Sequence, residues 1–153
     1  MSCATACLWG APAAAAPRPA RPAIAAMHAG PLVVAIHGIL TNTTARSWVD
    51  RFDEWAWSRD PAVRVLKKEY WGGPIPAINV WWHNRNLAKS LTAEILGFAR
   101  LGACPIHIVA HSNGCDVALK VAHRLSGIGV RLGSMILIGA ACESCVVRSG
   151  VFA

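Results

Sequence analysis

The stretch Ile106-His107-Ile108-Val109-Ala110-His111-Ser112-Asn113-Gly114 decides how the chain is read. It opens with a largely apolar, β-branched run, the pattern of a strand covered on both faces. The run stops at a serine set between a histidine and an Asn-Gly pair. Apolar residues at helical spacing follow at once, with Val117, Ala118, Val121 and Leu125 on one face. A serine so placed sits on a tight strand-to-helix turn, its neighbours small enough for the bend and its hydroxyl presented outward.

Working outward, the same alternation recurs. Pro31-Leu32-Val33-Val34-Ala35-Ile36 is a second continuous apolar run, ended by His37-Gly38. Thr41-Asn42-Thr43-Thr44 supplies N-cap candidates, and from Ala45 to Arg59 the residues Trp48, Phe52, Trp55 and Ala56 recur at helical spacing until Asp60-Pro61 closes the segment. Val63 to Leu66 predicts a short strand reaching at most Tyr70, before a loop marked by Gly72-Gly73-Pro74 and Pro76. The face of Trp81, Ala88, Leu91, Ile95 and Phe98 predicts a helix over 79–100, ended by Leu101-Gly102. After Pro105 come the strand Ile106 to Ala110 and the helix Gly114 to Leu125, stopped by Gly127 and Gly129. Ser134 to Gly139 predicts a last buried strand. The order β-α-β-α-β-α-β with apolar strands predicts an α/β fold, an open and mostly parallel sheet flanked by helices in three layers.

Composition narrows the class. The chain has 153 residues, of which 54% are hydrophobic and 15% charged, enough apolar material for one domain with a core. That domain is expected over 31–153. Residues 1–30, rich in Ala and Pro and without an acidic residue, read as a disordered leader or a mis-assigned start, with Met27 as an alternative initiator. Positive charge comes only after the alanine run Ala13 to Ala16, the reverse of a secretory signal, and a cytoplasmic location is expected. The net charge of +7 is spread over single basic residues with no nucleic-acid motif beside them, so a solvated surface is expected and nucleic acid is not. No apolar stretch is long enough for a membrane span.

The six cysteines include the pair Cys142 and Cys145 at metal-like spacing, but the only other close pair, Cys3 and Cys7, lies in the leader, and no metal site is expected. Cys104 and Cys115 read as small buried residues. The seven tryptophans, with the pairs Trp55/Trp57 and Trp81/Trp82, read as core, with an apolar substrate wall as the alternative.

Two strand-end motifs occur in order: Val34-Ala35-Ile36-His37-Gly38, then Val109-Ala110-His111-Ser112-Asn113-Gly114. Together they resemble the α/β-hydrolase fold, most closely its serine esterase and lipase branch, over roughly Leu32 to Ala141. The second motif is similar to the family's G-x-S-x-G nucleophile elbow, with Ala110 where the first glycine is usual and Gly114 in place.

The resemblance implies that Ser112 is the nucleophile of an ester or lipid acyl hydrolase. It implies an oxyanion hole made by the backbone N–H groups of Asn113 and of Ile39, or Leu40 in its place. Gly38 keeps the approach open, while His37 and His111 shape the two loops. A small-molecule ester or acyl compound is the implied substrate, with no metal or organic cofactor.

The family order is serine, acid, histidine. Glu143 stands where an acid can lie, and no histidine follows His123. The other histidines, His28, His83, His107 and His123, read as packing or surface residues. The expectation is therefore a C-terminally incomplete hydrolase domain. The alternatives are a non-catalytic binding domain of the same fold, or half of a split hydrolase completed by another chain. The strand ending at Ile138 would then form an exposed sheet edge, open to self-association.

Overall fold

Seven elements alternate along the chain: strand β1 (Gly30–Ile36), helix α1 (Trp48–Arg59), strand β2 (Arg64–Lys68), helix α2 (Ala77–Arg100), strand β3 (Ala103–His111), helix α3 (Gly114–Gly127) and strand β4 (Ser134–Ile138). They are seen in a computed structural model that describes residues 30–38, 47–69 and 77–140, with the side chains of 77–81 left aside. The four strands form one parallel sheet in the order β2-β1-β3-β4, flanked by the three helices. The three-layer α/β class predicted from the apolar runs is the observed one.

Alternation along the strands sorts residues to the two faces. Leu32, Val34 and Ile36 of β1 and Ile106, Ile108 and Ala110 of β3 join Ala88, Leu91 and Ile95 of α2 and Val117, Ala118, Val121 and Leu125 of α3 in one buried cluster. Leu66 of β2 and Met135 and Leu137 of β4 pack on its margin. Lys67 points to the other face, where Nζ reaches Asp50 Oδ1 at 2.8 Å and Asp53 Oδ2 at 3.6 Å and ties α1 to β2. Val49 and Ala56 of α1 are buried there with Ala35.

Several sequence expectations are corrected. α2 begins at Ala77, within a turn of the start expected at about 79. α3 runs on to Gly127. β3 begins at Ala103, ahead of Ile106, because pairing with β1 starts at Gly30↔Ala103 and resumes at Leu32↔Ile106 after a register shift. That shift spans Pro105, which has no N–H for the ladder. Cys104, on the same irregular start, is exposed, whereas Cys115 is buried.

The N-cap of α1 is Ser47, not one of the threonines, which lie with Asn42 outside the described residues. The Ser47 hydroxyl makes no cap hydrogen bond; it contacts Glu69 beyond β2 and lies 3.5 Å from Asp50 Oδ2 in the first turn. Trp55 and Trp82 are not core: they are 56% and 60% exposed, since Val49 and Ala56 take the positions of α1 that face inward and Ala88, Leu91 and Ile95 those of α2. Among the described residues β4 is covered on one face only, with Ile136 and Ile138 exposed on the other, because it stands last in the strand order and α2 and α3 lie on the face of Met135 and Leu137. Among the described residues no helix is long and apolar enough to cross a membrane.

Candidate active site

The connection from β1 leads to β2 on one side, and β3 then enters on the other side of β1. The point between β1 and β3 is therefore the place where the strand order reverses, and the crevice outside the carboxyl ends of strands at such a point is the usual ligand position in open α/β sheets. His37 and Gly38 leave β1 there, and Ser112 leaves β3 beside them.

Ser112 has φ of 54°, in the left-handed region, where the described chain otherwise places only glycine. A side chain there crowds its own carbonyl, a cost of about 1–2 kcal/mol that the surrounding structure must hold in place. The hold is visible. The Ser112 N–H donates to the Ile138 carbonyl of β4 at 2.9 Å, and the Ser112 carbonyl accepts the Cys115 N–H at 3.0 Å in the first turn of α3. The Cys115 thiol donates to the Ala110 carbonyl from beneath, at 3.4 Å.

Two glycines let the layers come this close. A Cβ on Gly114 would stand 2.6 Å from the His37 carbonyl oxygen and 2.8 Å from that of Ile36, so α3 starts in backbone contact with the end of β1. A Cβ on Gly38 would stand 2.8 Å from Ser112 Cβ, 3.1 Å from the His111 carbonyl oxygen and 3.2 Å from Ser112 Oγ. The two motifs singled out in the sequence thus meet face to face, through positions that only glycine fits without displacement.

Asn113 is the N-cap of α3, with helical φ and ψ of −60° and −21°. Its backbone N–H stands at the positive end of the helix dipole. Its side chain makes no cap hydrogen bond, forgoing a contact commonly worth about 1 kcal/mol. It turns instead to Asn84 of α2: Asn84 Nδ2 donates to Asn113 Oδ1 at 3.0 Å, and Asn113 Nδ2 donates to Asn84 Oδ1 at 3.1 Å. The second Asn84 Nδ2 hydrogen goes to Asp116 Oδ2 at 2.8 Å, and Asp116 also pairs with Lys120 one turn on. Asn84 is 1% exposed and Asp116 6%. Sequence reasoning missed this group. Its one signal is that Asn84 precedes Ala88, Leu91 and Ile95 on the buried stripe of α2, a polar residue at an inward position.

The histidines fall in two sets. The rings of His37 and His111 lie 6.0 Å apart edge to face, and His37 also lies 6.1 Å from Trp48. His37 Nδ1 is 3.1 Å from the Gly38 carbonyl oxygen. The His111 ring is turned toward the end of β4, with Nε2 4.0 Å from where a Gly139 Cβ would be, and its Nδ1 is buried without a hydrogen-bond partner among the described residues. His107 bonds Ser134 at 2.8 Å near the start of β4, His123 is exposed on α3, and His83 lies in the second turn of α2 rather than at its start. None of these rings is hydrogen-bonded to Ser112 Oγ among the described residues. Ile39, Leu40, Glu143, Cys142 and Cys145 lie outside the described residues.

The structure therefore brings Ser112, Asn113, Gly114, Gly38, His37 and His111 together at the carboxyl ends of β1 and β3. Among the described residues no group of three His, Cys, Asp or Glu side chains is gathered as a metal would need. Compared with family models, curated proteins and solved structures, the chain finds no match.

Proposed function

We propose that this chain is a domain of the α/β-hydrolase type, in which Ser112 attacks the carbonyl of a small-molecule ester or acyl compound. The observation that carries the reading is the left-handed Ser112 at the carboxyl end of β3, in contact with Gly38 at the carboxyl end of β1. A strained residue at a strand-to-helix turn is a structure maintained against its own cost, and a nucleophile that must stand clear of the sheet is a reason to maintain it.

In the proposed reaction Ser112 Oγ adds to the carbonyl carbon and gives up its proton to a base. The oxyanion takes the N–H of Asn113, with Ile39 or Leu40 on the loop after Gly38 as the second donor. Collapse expels the alcohol, and water then cleaves the acyl-enzyme. The base is the step for which the described residues hold no assembled partner. Glu143 is the acid in this reading, and the histidine is supplied by a continuation of the domain or by a second chain.

A different observation, a Ser112 hydroxyl with no imidazole bonded to it among the described residues, favours a second reading, in which the fold is kept for binding. A fluorophosphonate separates the two. The protein is treated with the probe beside Ser112→Ala, and the modified peptide is identified by mass. Labelling of Ser112 that is absent in the variant supports the acyl-transfer reading, and an unlabelled wild-type protein supports the binding one.

A further inference from the structure

We propose that Asn84 of α2 is a positioning residue for the elbow, holding the Asn113 peptide, and so its N–H, in the place where an oxyanion would form. The proposal rests on the acyl-transfer reading of Ser112 and deepens it.

The argument starts from an inward asparagine on an apolar stripe. A buried primary amide costs free energy unless its two donors and its carbonyl are bonded. Asn84 has both Nδ2 hydrogens placed, on Asn113 Oδ1 and Asp116 Oδ2, and its Oδ1 accepts from Asn113 Nδ2. The orientation of its amide is set by chemistry as well as geometry. Turned over, Asn84 would set its carbonyl oxygen against the Asp116 carboxylate and lose both donor bonds at once.

The partner is the residue that follows Ser112. An N-cap asparagine ordinarily turns back on its own helix, and here it is held from outside by an element 29 positions earlier in the chain. Two hydrogen bonds to one rigid amide fix the Asn113 side chain about both its χ angles. The backbone to which it is attached carries the donor N–H. α2 packs along α3 through Ala88, Leu91 and Ile95, so the anchor is itself immobilised by the core. Loss of the pair would release the Asn113 side chain from α2, with the turn still held by Gly114 against β1 and by the Ser112 N–H on the Ile138 carbonyl of β4.

The test uses the full chain and the rate at which a fluorophosphonate labels Ser112, with hydrolysis of p-nitrophenyl acetate as the second readout. Three variants are made: Asn84→Leu, Asn113→Ala, which keeps the backbone N–H, and the two together. Thermal melts check folding. The expected result is labelling slowed about ten- to hundred-fold by either single change, as misplacing one oxyanion donor does. The loss falls on kcat with KM unchanged, and the double variant is no slower than the slower single one, since either single change already removes the Asn84–Asn113 pair.

Wild-type rates in N84L, or losses that multiply in the double variant, overturn the proposal and leave the Ser112 reading standing. An unlabelled wild-type protein overturns both. Should N84L not fold, N113A decides alone: a wild-type labelling rate in that variant overturns the proposal.

Discussion

Gly38 and Ser112 touch: a methyl group on Gly38 would stand 2.8 Å from Ser112 Cβ and 3.2 Å from its Oγ. Two of these three close atoms belong to the Ser112 side chain, the third being the His111 carbonyl oxygen at 3.1 Å. Gly38→Ala is therefore expected to cost about 1–3 kcal/mol, the usual range for overpacking a closed site. The cost is expected to shrink when Ser112 is Gly, because two of the three obstacles, the nearest among them, are gone and only the His111 carbonyl oxygen remains. Urea melts of the four proteins in the cycle measure this coupling, and additive losses would show that the pair does not share the space.

Ser112 itself gives the second expectation. At most positions Gly is less favourable than Ala by roughly 0.5–1 kcal/mol, because it loses more freedom on folding. At φ of 54° the order should invert, since alanine keeps the left-handed strain and glycine removes it. Ser112→Gly is expected to be more stable than Ser112→Ala by about 1 kcal/mol, a difference of about 4 °C in melting temperature for a chain of this size. A lower melting temperature for the glycine variant would mean that the turn is not strained.

Much of this arrangement could be read from local sequence, because local chemistry produces it. The β-branched runs before His37 and before Ser112 announce the strands, the apolar spacing after Gly114 announces α3, and the small residues around Ser112 announce the turn. Asn84 was not legible. Its partner is 29 positions away, and one asparagine in a helical stripe carries no period. Nor was the one-sided cover of β4. An apolar run such as Met135 to Ile138 looks the same whether both its faces are covered or one, and only the strand order places Ile136 and Ile138 at the margin. The tryptophans misled for a related reason, since size alone does not say which side of a helix faces the sheet.

The uneven cover of the sheet leads to a contrast between two large apolar residues. Leu91 is fully buried between α2 and the sheet, while Ile136 is 54% exposed on the outer face of β4. Leu91→Ala should cost about 2–5 kcal/mol through lost burial and a residual cavity. Ile136→Ala should change stability by less than about 0.5 kcal/mol. Denaturant midpoints at a shared slope compare them. A large cost at Ile136 would reveal that its outer face is packed.

Lys67 offers a test by pH of the tie between β2 and α1. Its ammonium is held chiefly by the hydrogen bond to Asp50, which outweighs the opposing effect of burial, and the charges of Asp50 and Asp53 add to it, so its pKa is raised above the ordinary 10.5. A raised folded pKa means that the charged form is favoured in the folded state. The Lys67 side of this contribution is therefore fully present below the ordinary lysine value and fades as pH rises through the higher, folded one. The side chain is 39% exposed, so screening keeps the whole effect below about 1 kcal/mol. Lys67→Met should accordingly lose a small, salt-sensitive stability that is constant from about pH 7 to pH 9 and narrows only above the ordinary lysine range. Urea melts of both proteins across that range give the difference directly. A gap that closes between about pH 7 and pH 9 would assign the tie to some other group.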